Sequence, residues 1–225
     1  MKFVNCSDAA VGIEILADRI ASELVAGHTV LWLLPGGSNI PASVAVMGKL
    51  RHDCPEKIKN LTLLLSDERY GPLKHVDSNY FQLKQAGFTE GDATFIQTLV
   101  NATLDDTVKY YGEAYQELLA KQPVVIGQFG MGADGHIAGV LPGSPAVTSQ
   151  ESAVCYDAGQ FERITLTLKS LKKVKAAYVF VFGEPKCQAL QTLRGQSLPV
   201  QDQPAQLFKT LPEATIFNDQ LGDES

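Results

Sequence analysis

The sequence predicts a three-layer α/β fold, a mostly parallel sheet flanked by helices. Three observations predict it. Strand-like and helix-like runs alternate along the chain. The strongest strand-like runs, at 28–34, 61–65, 124–129 and 176–182, are almost continuously apolar, as strands buried on both faces are. Polar segments follow each of them, at 35–38, 66–69, 130–136 and 183–186, all but 66–69 bearing glycine. In an open parallel sheet, ligands bind beyond the carboxyl ends of the strands. The four segments are therefore expected to build one site.

The elements follow in order. Ser7 is placed to cap a helix that runs to about Ala26, with Ile13, Leu16, Ile20 and Leu24 on one face and Gly27 as its stop. The run HTVLWLL (28–34) makes the first strand, broken by Pro35-Gly36-Gly37-Ser38, and a helix follows through Leu50. LTLLL (61–65) is the second strand. Residues 78–85 read as a short helix and 95–98 as a strand. Thr103 can cap a long helix whose buried face carries Leu104, Val108, Tyr111, Tyr115 and Leu118. VVIGQF (124–129) is a strand. Residues 164–168 alternate like a half-exposed strand. AAYVFVF (176–182) is a buried strand, and Pro185 suits the first turn of the helix after it. Residues 215–217 read as a late edge strand.

Bulk properties narrow the function classes. The chain of 225 residues fits one large domain, 1–225, with no repeat, low-complexity tract or linker. Hydrophobic residues make up 45% and charged residues 20%, enough apolar content for an unstapled core. The four cysteines (Cys6, Cys54, Cys155 and Cys187) are scattered, so neither a metal site nor a disulfide framework is signalled. They read as reduced thiols in a reducing compartment. A net charge of −6 with no Lys/Arg run disfavours nucleic acid as a partner. Residues 1–8 lack the layout of a signal peptide, and no apolar run approaches membrane-spanning length. A soluble, cytoplasmic protein is expected, without membrane partners.

An anionic ligand would need a local positive site set against this acidic body. Gly36, Gly37 and Ser38 lie between a buried strand and a helix, where backbone N–H groups and the helix dipole suit a phosphate; a plain tight turn would look the same. Asp67-Glu68-Arg69 puts three charges just past a strand, either as a solvated strand end or as an anion-binding and acid–base group. Arg163 and Lys186 would add cations at the same end of the sheet, and arginine's planar fork matches phosphate oxygens. His136 is suited to act as a base near neutral pH, with Asp134 two residues earlier to orient it or a water. His28, His52 and His75 read as structural or solvated. Gly130, Gly132 and Gly135 spell G-x-G-x-x-G, but Pro142, Gly143 and Pro145 deny it the long helix that a dinucleotide site requires. Nucleotide binding is therefore disfavoured.

Six segments in order resemble the 6-phosphogluconolactonase family, part of a larger group with glucosamine-6-phosphate deaminase. They are LLPGGSNIP (33–41), SDERYGP (66–72), DSNY (77–80), GMGADGHIAGVLPGS (130–144), RITLTL (163–168) and GEPK (183–186). The resemblance implies a Rossmann-like fold and hydrolysis of 6-phospho-D-glucono-1,5-lactone to 6-phosphogluconate in the oxidative pentose phosphate pathway. It implies no cofactor and no metal. His136 would activate water and Asp134 would help position water or substrate. Gly36, Gly37 and Ser38 would form the phosphate loop, completed by Arg163 and Lys186, with Arg69 on the anionic substrate. Asp67 matches a site acid of the deaminases. The partner implied is a small sugar-phosphate lactone, bound by a monomer or small homo-oligomer.

Within that group the DER…DSN pattern favours the lactonase branch. Deaminases carry a Glu before the proline of the histidine loop, where this chain has Leu141. The chain also departs from the usual lactonase pattern. Pro35 precedes the glycines, Asn39-Ile40 precede Pro41, Gly139 stands for a serine, and Leu141 stands for an aromatic. The alternatives are a deaminase or isomerase on the same scaffold, and a non-catalytic sugar-phosphate-binding module.

Overall fold

A computed structural model describes residues 1–223; positions 224 and 225 of the expected single domain lie outside the described residues. Among the described residues, ten strands and seven α-helices follow in the order β1 (Lys2–Asn5), α1 (Ala10–Val25), β2 (Val30–Leu34), α2 (Ile40–Asp53), β3 (Leu61–Leu65), β4 (Asp67–Arg69), α3 (Asn79–Gln85), β5 (Thr94–Ile96), α4 (Leu104–Ala120), β6 (Val124–Phe129), α5 (Pro145–Thr148), β7 (Ala153–Asp157), β8 (Glu162–Leu166), α6 (Leu168–Leu171), β9 (Ala176–Val181), α7 (Cys187–Gly195) and β10 (Glu213–Asn218). Seven strands form one sheet in the order β1-β10-β9-β6-β2-β3-β5, and every pairing in it is parallel. The fold is thus the expected mostly parallel, Rossmann-like α/β layer structure.

The alternation of side chains along the strands divides the core in two. Leu31, Leu33, Leu64, Val125, Val179 and Ile216 face one layer, with Tyr111, Tyr115 and Leu118 of α4 and Leu190 and Leu193 of α7. Trp32, Leu34, Leu63, Ile126, Tyr178 and Phe180 face the other, with Leu16, Ile20 and Leu24 of α1 and Val46 and Met47 of α2. All five residues of β2 are buried, which is why the run lacks polar alternation. Each such side chain contributes about 1.5–3 kcal/mol by leaving water.

The strand order reverses between β2 and β6. From β2 the chain winds outward through β3 to β5; from β6 it winds the other way through β9 to β10. A reversal of this kind leaves a crevice at the carboxyl ends of the two central strands. The loops after β2 and β6 open there.

Four expectations change in the structure. Ser7 does not cap α1; Ala9 precedes the helix without a side-chain cap, and Asp8 Oδ1 accepts the Ala10 N–H at 2.8 Å. The 215–217 strand is internal, because the polar-looking N-terminus forms β1 and takes the edge beside it. Its burial alternates in a strand too short for a periodicity argument. Residues 67–69 are a strand, and 164–168 shifts to Glu162–Leu166. Together with β7, these two form a second, antiparallel sheet in the order β4-β8-β7. Ser66 joins the two sheets: its N–H donates to Leu34 O at 2.9 Å, and its carbonyl accepts the Leu166 N–H at 3.1 Å. The Thr103 cap holds, its Oγ1 accepting the Asp106 N–H at 3.2 Å, and Ser78 caps α3 in the same way, its Oγ accepting the Phe81 N–H at 3.1 Å.

Glu68 fixes β4 against α3. It is fully buried, and its carboxylate accepts from Arg69 N (2.7 Å), Asn79 N (2.6 Å), Tyr80 N (3.0 Å) and Ser78 Oγ (3.0 Å). Burial raises its pKa, and these hydrogen bonds pull the other way. Glu68→Gln would turn an NH₂ group toward N–H donors. A loss of about 2–4 kcal/mol is expected, read as a fall of roughly 5–10 °C in the thermal unfolding midpoint.

Candidate active site

The four expected loops meet around a cavity of about 330 Å³ at the β2/β6 crevice. That is the low end of small-ligand sites, ~300–1,000 Å³. Gly36, Gly37, Ser38, Asp67, Arg69, His136, Arg163 and Lys186 all line it. Asp134 stands behind His136.

Cations dominate one wall. Arg69 on β4 and Arg163 on β8 are directly paired across the antiparallel ladder. Like charges in that position repel, so the pairing calls for an anion nearby. Part of it is Asp67, whose Oδ2 lies 3.9 Å from Arg163 Nη1. Burial raises the Asp67 pKa, against the pull of Arg163, Arg69 and His136. Arg69 is otherwise held by Nη1 donating to the Asp77 carbonyl at 2.6 Å and by stacking 5.5 Å over the Phe161 ring. The Nε atoms of both arginines are buried without a hydrogen-bond partner. Gly139 closes this corner: a β-carbon there would come within 2.7 Å of Thr165 Cβ, 2.8 Å of Arg163 Cδ and 2.9 Å of Asp67 Cβ. Glycine in place of the serine expected at that position therefore admits these side chains.

The glycine loop forms a second wall. After β2 the chain passes through Gly36 into a short 3-10 turn, Gly37–Asn39, which runs directly into α2. The start of a helix is where backbone N–H groups lack intrahelical partners and the dipole is positive, which suits an anion. Asn39 Nδ2 donates to Phe180 O at 3.3 Å, tying the loop to β9. Lys186 comes from the 3-10 turn Glu184–Lys186, and its Nζ donates to Met131 O at 2.6 Å. Burial lowers its pKa, while Asp134 opposes the shift.

His136 is oriented locally. Asp134 Oδ1 sits 2.6 Å from His136 Nδ1 and also accepts the His136 backbone N–H at 3.1 Å. These hydrogen bonds, the His136 ring first, lower the Asp134 pKa to about 2, so the carboxylate is ionised at neutral pH. An ionised carboxylate only accepts. Nδ1 must therefore carry the proton, which leaves Nε2 as the basic atom of a ring that lines the cavity. Gly132 makes room for this arrangement: a β-carbon at 132 would collide with Nδ1 and Cε1 of His136. The Gly132 N–H also donates to His136 O at 3.0 Å. Within the G-x-G-x-x-G pattern it is thus Gly132 that makes room for the histidine, while Gly130 lies against Asn39 and Gly135 against Gln203. Gly132→Ala is expected to leave the protein folded and to lower turnover roughly 10–100-fold by displacing the ring. Steady-state kinetics beside a thermal melt checks this.

Asp67 is the one carboxylate among the described residues lining the cavity. The histidine loop brings no second acid. Its Leu141 N–H donates to Tyr156 Oη at 3.4 Å, and Tyr156 donates to Gly139 O at 2.5 Å. Among the described residues, no group of three or more His, Cys, Asp or Glu is placed to hold a metal ion. No described helix is long and apolar enough to cross a membrane. Asn79 and Asn39 also line the cavity, and Phe161 packs under Arg69; the first two fall inside segments quoted from the sequence, but no role was read for any of the three. Nothing in their spacing ties them to the loops they touch.

Fold and site together define an α/β protein with a cavity lined by Arg69, Arg163 and Lys186 and faced by a histidine–aspartate pair. Comparison with known proteins places that class. The chain belongs to the glucosamine-6-phosphate isomerase/6-phosphogluconolactonase family, whose model matches residues 8–217, and it is an enzyme of that group. A glucosamine-6-phosphate deaminase of Lactobacillus johnsonii is 24% identical over 98% of this chain and 95% of its own. Among solved structures, a 6-phosphogluconolactonase of Shewanella baltica aligns with a TM-score of 0.79 at 21% identity, over 96% of this chain and 97% of the other. A monomeric glucosamine-6-phosphate deaminase aligns with a TM-score of 0.81 at 19% identity, over 97% of each chain. At these identities the structural likeness speaks for the fold.

Proposed function

We propose that the protein hydrolyses 6-phospho-D-glucono-1,5-lactone to 6-phosphogluconate, as a single-domain cytoplasmic enzyme of the oxidative pentose phosphate pathway. One observation carries the reading. A lone histidine base, oriented by Asp134 and with no second acid on its loop, shares a cavity with a cationic, glycine-lined wall. Lactone hydrolysis asks for such a base and little more.

The substrate phosphate lies several atoms from the reacting carbon. Held by Arg163, Lys186 and the 36–38 loop, it sets the carbonyl beside His136. Remote binding energy then supports catalysis by positioning. His136 Nε2 takes a proton from water as the oxygen adds to the carbonyl carbon. Asp134 steadies the imidazolium that forms. Backbone N–H groups of the glycine loops are suited to the oxyanion. When the ring C–O bond breaks, His136 returns the proton to the departing ring oxygen. No acyl-enzyme arises, since water attacks directly. Arg69 supports the anionic substrate, and Asp67 balances the arginine pair.

The deaminase reading has two observations in its favour: the names of the curated sequence relatives and the presence of Asp67 in the cavity. Leu141, where the deaminases carry a Glu, weighs against it. The two separate in parallel assays of one preparation. Freshly generated 6-phosphogluconolactone should be hydrolysed faster than its spontaneous rate, and glucosamine-6-phosphate should release no ammonia. The reverse pattern supports the deaminase. Tight binding with silence in both assays supports a module that binds without turnover.

A further inference from the structure

We infer that Asn79 is a positioning residue for the anion loop, acting through Gly36, so that the two behave as one energetic unit. The inference rests on the reading of 36–38 as the phosphate loop.

Asn79 is the first residue of α3, lines the cavity and is 1% exposed. It is held to β4 at two points. Its backbone N–H donates to Glu68 Oε1 at 2.6 Å, and its Nδ2 donates to the Asp67 carbonyl at 2.9 Å. The carboxamide is therefore fixed in height and orientation relative to the strand that carries Asp67 and Arg69. Its other end, Oδ1, is buried without a hydrogen-bond partner. Buried polar atoms are rarely left in that state without a reason.

The carboxamide packs against the loop above. Gly36 has φ −97° and ψ −171°, an extended conformation open to any residue. Its backbone does not demand glycine, but its surroundings do. A β-carbon at 36 would collide with Oδ1, Cγ and Nδ2 of Asn79 together. Gly37 is the opposite case: its φ is +63°, and a β-carbon there would meet nothing within 4 Å. So Gly36 is glycine because the Asn79 carboxamide fills the space of its side chain. The thickness of that group sets how far the loop N–H groups stand from β4 and its arginine. An anion held by both walls depends on this spacing.

A double-mutant cycle with Gly36→Ala and Asn79→Ala tests the coupling. Inorganic phosphate titrated calorimetrically is the primary readout. KM and kcat on the lactone and a phosphate-free thermal melt accompany it. Gly36→Ala alone should weaken phosphate about 10-fold or more, with KM rising more than kcat falls. In the Asn79→Ala background the same change should cost less than about 3-fold, because the obstruction is gone. An equal cost in both backgrounds would overturn the inference. So would affinity losses that merely track the melting temperature. If Asn79→Ala lacks a cooperative melt, Asn79→Ser takes its place in the cycle. Wild-type protein that binds phosphate but leaves the lactone intact refutes the proposed reaction, yet the titration still decides the coupling. Wild-type protein that binds no phosphate refutes the loop reading and this inference with it.

Discussion

His136→Ala is expected to lower lactone turnover by roughly 10²–10⁴-fold, the range that removal of a general base produces. The expectation follows from one chain of geometry. Asp134 is ionised and accepts from Nδ1, which leaves Nε2 as the basic atom of a ring that lines the cavity. No second carboxylate on the same loop can take over the proton. The ring is partly exposed, so the melting temperature should change little. Initial rates with the spontaneous reaction subtracted, beside a thermal melt, check both halves. A variant of near wild-type activity would remove His136 from the mechanism.

Arg163→Ala should produce the second large effect, a fall in kcat/KM of about 10²-fold or more, carried mainly by KM. Arg163 contributes twice. It offers a planar fork to the substrate phosphate, and it lies 3.9 Å from buried Asp67. Without it Asp67 loses its strongest opposing charge and should protonate at higher pH still. Arg163→Lys separates the two contributions. It keeps a positive charge near Asp67 but loses the bidentate geometry, so it should recover only part of the affinity. Full recovery by lysine would mean that charge alone matters at this position.

Much of the fold was legible because parallel strands buried on both faces leave an unmistakable apolar run. The runs at 28–34, 61–65, 124–129 and 176–182 became β2, β3, β6 and β9, the four adjacent strands at the centre of the sheet. The site was legible because their polar loops must fall at the same end. What escaped were elements whose identity is set by partners distant in sequence. β1 and β7 are short and only partly buried, and each is defined by the strand it pairs with. β4 carries Asp67, Glu68 and Arg69, which read as a charged loop. It is a strand because β8, almost a hundred positions on, supplies its hydrogen bonds. Asn79 stood in the DSNY segment, but its contact with Gly36 across the cavity escaped for the same reason. Ser7 was misread because a capping residue type does not by itself fix where a helix begins.

The central claim is that a phosphate held at one end of the cavity sets a lactone carbonyl beside His136. Its most direct test is the ratio of kcat/KM for 6-phosphogluconolactone and for the same lactone without phosphate, measured on the wild-type protein. The account predicts a preference of about 10²-fold or more for the phosphorylated lactone. Equal rates on the two would contradict it.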